Sequence, residues 1–201
     1  MSEIKVNSVV NSTGDNDSGL DLSTNDQVII KTANTTAMTI DSSQNVTFAN
    51  RYPKVALIAD VKSNGTNGGT FTQDAWQDRD LNTEIYDPDS IVTISSNQFT
   101  IGSGTYIIEW DCAFFDVSIN QTRLYDVTGG ASLQAGLSMY GNPPDNGYGV
   151  ASGSAQVTPT SNNTYKIQHR CVTTKATSGF GIAVNVGEDE QFARVKITKL
   201  K

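Results

Sequence analysis

Two cysteines, five prolines and one histidine are all that this 201-residue chain holds of three chemically distinctive residue types. A single histidine rules out chelation by a histidine cluster. Cys112 and Cys171 lie far apart with no C-x-x-C spacing, so neither a zinc site nor a thioredoxin-type motif is supported. They read as two buried thiols in neighbouring strands, with a disulfide as the alternative. No G-x-S-x-G elbow and no Walker or Rossmann glycine pattern is present. Apolar runs never approach the ~18 residues of a membrane-crossing helix. Positive charge is scarce as well: 14 Lys and Arg stand against 21 Asp and Glu, a net charge of -7. That balance disfavours nucleic acid, whose phosphates need clustered cations, and anionic lipid. Met1-Ser2-Glu3-Ile4-Lys5 has no apolar stretch after a basic start, so no secretory signal is expected. The expectation is synthesis in a cytosol, and release, if any, by a route that needs no signal.

What is present is unevenly spread. The first fifty residues contain seven each of Ser, Thr and Asn, and Phe48 is their only aromatic. Short apolar pairs nevertheless recur: Leu20/Leu22, Val28-Ile29-Ile30, Met38/Ile40 and Val46/Phe48. Alternation followed by Asp41-Ser-Ser-Gln-Asn45 is strand-turn-strand chemistry. So few apolar groups cannot stabilise fifty residues alone. The segment is therefore either disordered or built to pack on copies of itself.

From Tyr52 onward the chain reads as eight to ten strands separated by Gly, Asn and Asp turns. Val55 to Val61 fits a strand buried on both faces. Thr105 to Val117 is the clearest strand, with Tyr106, Ile108, Trp110, Cys112 and Phe114 on a core face. Leu133, Ala135, Leu137 and Met139 predict a half-buried strand. Tyr165, Ile167, His169 and Cys171 share a face. Phe180, Ile182, Val184 and Val186 predict another strand, and Ala193, Val195 and Ile197 a terminal one. No window shows a helical period, so the fold class is all-β, an antiparallel β-sandwich or jelly roll.

No catalytic constellation emerges, and no catalytic residue, metal ligand or cofactor is assigned. His169 sits between Ile167 and Cys171 and reads as a core histidine bonded to a neighbour. Glu188-Asp189-Glu190 reads as a solvated loop. Asp87-Pro-Asp89 reads as a turn in which Asp bonds backbone amides. Asp15-Asn-Asp17 resembles the opening of a calcium loop but lacks its closing Glu. Exposed loop residues are the better candidates, because aromatic faces on loops bind sugars and protein surfaces. They are Asn64, Asn67 and Trp76 in and after the glycine loop 63–69. Tyr140, Asn142, Asp145, Asn146 and Tyr148 join them, in and beside the Pro-Pro loop 141–149.

Two resemblances extend this reading. Leu81-Asn-Thr-Glu-Ile-Tyr-Asp-Pro-Asp-Ser-Ile-Val-Thr-Ile, followed by Phe99-Thr-Ile-Gly-Ser-Gly-Thr-Tyr-Ile-Ile-Glu-Trp, resembles the globular head of complement C-one-q and its tumour-necrosis-factor-like relatives. Gly179-Phe-Gly-Ile-Ala-Val and Phe192-Ala-Arg-Val-Lys-Ile are similar to that family's last strands. No collagen repeat precedes them. Ala37-Met-Thr-Ile-Asp-Ser-Ser-Gln-Asn-Val resembles repeats that precede terminal knobs in bacteriophage fibre proteins. Together these imply a homotrimer, with residues 1–51 as N-terminal anchor and short β-rich trimeric stalk and 52–201 as jelly-roll knob. The function they imply is a non-enzymatic phage virion appendage, a tail or capsid fibre or spike. Other virion proteins would hold its N-terminus, and its knob would bind a host surface glycan or protein. A purely structural capsid decoration or joining protein is the alternative. Nucleic-acid binding and membrane insertion are not expected.

Overall fold

The computed structural model describes residues 6–10, 18–24, 27–49, 53–141 and 147–201. Among them are sixteen β-strands and no helix. The chain divides into two compact units, Met1–Tyr52 and Pro53–Lys201.

The first unit is an antiparallel meander of five strands: β1 (Ser8–Val10), β2 (Gly19–Asp21), β3 (Val28–Thr32), β4 (Thr35–Ile40) and β5 (Val46–Phe48). Its turns follow from local chemistry. Ala33 and Asn34 both take positive φ (48° and 57°), which closes the two-residue β3–β4 hairpin. Asp41 Oδ1 accepts the amides of Ser43 and Asn45, each at 2.9 Å, and holds the turn into β5. The Asp15–Asp17 calcium-like segment lies outside the described residues.

Two facing sheets make the second unit. One runs β14 (Tyr148–Val157), β11 (Tyr106–Phe115), β16 (Glu190–Lys199), β6 (Lys54–Lys62), β8 (Thr83–Tyr86). The other runs β13 (Ala131–Tyr140), β12 (Ile119–Asp126), β15 (Asn163–Cys171), β10 (Gln98–Ile101), β9 (Val92–Ser95), with the two-residue β7 (Gln77–Asp78) on β15. The inward faces match the alternation in sequence. Ile58, Ile108, Trp110 and Val195 meet Phe99, Leu124, Tyr165 and Ile167 in one core. Each such side chain, fully buried, contributes about 1.5–3 kcal/mol. Asp87 behaves as expected, accepting the amides of Ile91 (3.0 Å) and Val92 (2.9 Å).

Three expectations are corrected. Residues 180–187 form no strand: positive φ at Gly181, Asn185 and Gly187 breaks the ladder, and Ile182, Val184 and Val186 face solvent. β13 is not half-buried. It is an edge strand, and Leu133 and Leu137 are 44% and 64% exposed. The two thiols are free and buried, but β11 and β15 belong to different sheets, so Cys112 and Cys171 are not in neighbouring strands.

Candidate functional site

Register places the flanks of loop 63–69, together with Tyr140 and Tyr148, toward one end of the sandwich. Lys62 pairs with Glu190, Phe115 with Tyr148, Ile119 with Tyr140, and Asn120 with Cys171. The described segments that leave these positions, loop 63–69, residues 116–118 and the chain from Val172 to Asp189, therefore gather at one end. Lys54, where the chain enters β6, pairs with Lys199 at the other.

The gathered loops are held by side chains. Glu190 was read as part of a solvated run, but it is 4% exposed. Its carboxylate accepts the amides of Asn185 (2.9 Å), Val184 (3.2 Å) and Gly65 (3.1 Å). These donors, Asn185 first, hold its pKa below the ordinary value. Asn67 Oδ1 accepts the Ala183 amide at 2.8 Å. Asn64 Oδ1 accepts the Gly187 amide at 3.1 Å, and its amide group donates to Asn185 Oδ1 at 3.0 Å. Asn64, through both its polar atoms, and Asn67, through Oδ1, thus pin loop 63–69 to segment 181–187.

Beneath the loops lies a second apolar cluster of Phe71, Phe114, Val117, Ala151 and Cys171. His169 is fully buried beside it, 4.7 Å from the Phe71 ring, with Nε2 2.9 Å from Asn120 Oδ1. Oδ1 can only accept, so Nε2 carries the proton. Burial, and then the nearby Arg79 charge, push the His169 pKa well below its usual value. Arg79 is itself buried. Its guanidinium donates to the carbonyls of Phe192 (2.7 Å), Phe180 (3.1 Å) and Ala113 (3.2 Å) and lies over the Phe180 ring at 4.4 Å. This tie between core strand and end loop left no sequence signal beyond an Arg amid polar residues.

Trp76 lies apart from the loop tips, on the outer face of the β12–β15 sheet. The Arg123 guanidinium stacks on its ring at 4.1 Å and bonds Gln168 Oε1 at 2.9 and 2.6 Å. Tyr140 and Tyr148 bracket the Pro-Pro loop and are 66% and 82% exposed. Asn142, Asp145 and Asn146 lie outside the described residues. Sequence reasoning missed Ile119, Val172, Ile182, Val184 and Val186, all exposed at this same end. The glycines at 179, 181 and 187 were the available signal for the last three, since glycine that dense weakens a strand. Among the described residues no group of three or more His, Cys, Asp and Glu side chains could hold a metal ion. The site is thus an apolar surface on the braced segment 181–187, with Tyr140 and Tyr148 exposed at the ends of β13 and β14, suited to contact with another molecule's face.

The class this geometry defines is an all-β protein with an antiparallel jelly-roll head. The head is similar to murine APRIL at pH 5.0, with TM-score 0.51 and 11% identity over 74% of this chain and 99% of that one. It is similar also to the Eiger TNF of S. frugiperda, with TM-score 0.50 and 13% identity over 75% and 94%. The globular domain of zebrafish complement 1qA protein aligns at TM-score 0.46 and 14% identity, over 73% and 96%. At such identities the likeness is one of fold. No family model matches the chain, and no curated protein matches it.

Proposed function

We propose that the chain is a homotrimeric, non-enzymatic structural appendage of a bacteriophage virion, made in the host cytoplasm. Its residues 1–51 anchor it to other virion proteins and contribute the stalk. Its head attaches to a host surface glycan or protein through the loop end. One observation carries the attachment role: exposed aromatic and aliphatic side chains, Tyr148 and Val186 foremost at 82% and 74%, collect at the end of the sandwich opposite Lys54. A monomeric soluble surface rarely leaves such groups together without a partner. Val184 and Val186 sit on a segment braced by Glu190, Asn64 and Asn67, so contact there would cost little ordering entropy. Three heads on one axis would multiply a weak single contact.

The test is binding of the fluorescently labelled full chain to a panel of bacterial strains, with Tyr148→Ala/Tyr140→Ala as the paired variant. Saturable binding to some strains, lost in the variant, is the expected outcome. Absence of binding to every strain would favour the decoration role instead. Binding retained by the variant would move the contact away from the tyrosines.

A further inference from the structure

Loop 63–69 contains two Asn-Gly pairs, Asn64-Gly65 and Asn67-Gly68. Such pairs are chemically labile, because no Cβ shields the glycine nitrogen from the asparagine side chain before it. The glycine amide gives its proton to base, and its nitrogen attacks Cγ of the asparagine. An N–Cγ bond forms as the Cγ–Nδ2 bond breaks, and ammonia leaves behind a cyclic imide. Water then opens the imide to aspartate, or to isoaspartate, whose backbone runs through the side chain. In this fold the groups that must meet are held elsewhere. Gly65 N–H donates to Glu190 Oε1 at 3.1 Å, and Gly68 N–H to the Gly181 carbonyl at 2.9 Å. Asn64 Oδ1 accepts the Gly187 amide at 3.1 Å, and its Nδ2 donates to Asn185 Oδ1 at 3.0 Å. Asn67 Oδ1 accepts the Ala183 amide at 2.8 Å. Both glycines are required where they stand. Gly65 has a φ of 79°, and a Cβ on Gly68 would stand 2.7 Å from the Phe180 carbonyl carbon.

We propose that Asn64 is a site of spontaneous deamidation restrained by Glu190, and that its conversion unlocks the loop end. The proposal goes beyond the attachment reading and does not rest on it. Two observations select Asn64 over Asn67. Asn64 and Gly65 are exposed to base and water, and the Gly65 amide is held by one side chain. Gly68 is buried, and backbone bonds hold it and its neighbour: Gly69 donates to the Thr177 carbonyl and accepts the Phe180 amide. The consequence follows from the same contacts. Aspartate at 64 replaces the Nδ2 donor by an oxygen, which then faces Asn185 Oδ1 without a proton between them. It also adds a negative charge beside the Gly65 amide that Glu190 binds. Isoaspartate lengthens the backbone before Gly65 and draws that amide off Glu190. Either product weakens the brace on Val184 to Gly187. Loosening of segment 181–187 then frees the Gly68 amide from the Gly181 carbonyl, so Asn67 converts after Asn64.

Incubation of the full chain at mildly alkaline pH, followed by tryptic digestion and mass spectrometry, tests this. Trypsin cuts after Lys62 and Arg79, so the peptide 63–79 carries both asparagines and fragmentation tells them apart. In the folded wild type both should convert about tenfold or more slowly than in guanidinium-unfolded chain, with Asn64 ahead of Asn67. Glu190→Ala should speed Asn64 by about fivefold or more and Asn67 by less. Glu190→Gln keeps an acceptor for Gly65 and should stay nearer wild type. Amide protection in β11 and β16, unchanged from wild type, shows that each variant is folded. Asn64→Asp, which supplies the aspartate product directly, should lower amide protection at Val184, Asn185 and Gly187. Asn64 converting as fast in folded as in unfolded chain, Asn67 converting first, or Glu190→Ala speeding both equally or neither would overturn the proposal. Full protection at all three amides in Asn64→Asp would overturn the unlocking.

Discussion

Trp110 donates its indole Nε1–H to Thr122 Oγ1 at 2.8 Å, and this buried bond ties β11 of one sheet to β12 of the other. Gly153 on β14 lies against the same ring, so close that a Cβ there would stand 2.1 Å from a ring carbon. Both features answer one problem, the seating of a large aromatic with a polar edge where two edge strands converge. Thr122→Val leaves the indole N–H without its acceptor and should cost about 1–3 kcal/mol. Gly153→Ala overfills the site, and its cost should be of the same order, about 1–3 kcal/mol. Chemical denaturation should show a lower midpoint at unchanged m-value for each. Thr122→Val as stable as wild type would remove the bond from the account.

Glu190 should govern the order of the loop end. Glu190→Ala releases three amides at once. Faster hydrogen exchange is then expected at Gly65, Val184 and Asn185, with the amides of β11 and β16 unchanged. Its folded pKa lies below the ordinary value of 4.5, so its contribution is complete above pH 4.5 and disappears as pH falls through the lower folded value. Protection of these amides, taken relative to the intrinsic exchange rate at each pH, should therefore fall in acid in the wild type and be insensitive to acid in Glu190→Gln.

His169 acts in a higher pH window. Its folded pKa is depressed from 6.5, so below that pH the unfolded chain takes up a proton that the folded chain refuses. Stability should fall as pH drops below 6.5, by up to about 1.4 kcal/mol per pH unit, until the folded value is reached. In His169→Gln, whose amide can still donate to Asn120, the slope between pH 6.5 and the carboxylate range should flatten. An unchanged slope would mean that another group titrates there.

Arg79 joins three carbonyls from three stretches of chain. Arg79→Met keeps the bulk but strands those acceptors, at an expected cost of about 3 kcal/mol or more. Arg79→Lys should rescue little, because an ammonium lacks the planar fork that reaches Ala113, Phe180 and Phe192 together. Thermal unfolding of the two variants beside wild type decides it, and a full rescue by Lys would refute the fork.

Much of the head was legible in the sequence because its central strands obey a local rule. Tyr106, Ile108, Trp110, Cys112 and Phe114 alternate, and all five are buried. The same rule failed for Ile182, Val184 and Val186, whose alternation is as regular but whose backbone is claimed by Asn67 and Glu190 in place of a ladder. It failed for β13 as well, since a strand at a sheet edge can leave both faces in water. Asn64 and Asn67 were legible as loop residues, but not as the braces of that loop, because their partners lie more than a hundred residues away.

By itself the sequence determined the all-β class, the strands of the central core and the turn at Asp87, because alternation and turn chemistry act within a few residues. Only the tertiary structure decided that Glu190 is buried, that Val184 and Val186 are exposed, and that Val9, Leu20, Ile30, Met38 and Phe48 stand in one row. Burial and register depend on what lies across a sheet or beneath a loop, and no local pattern carries that.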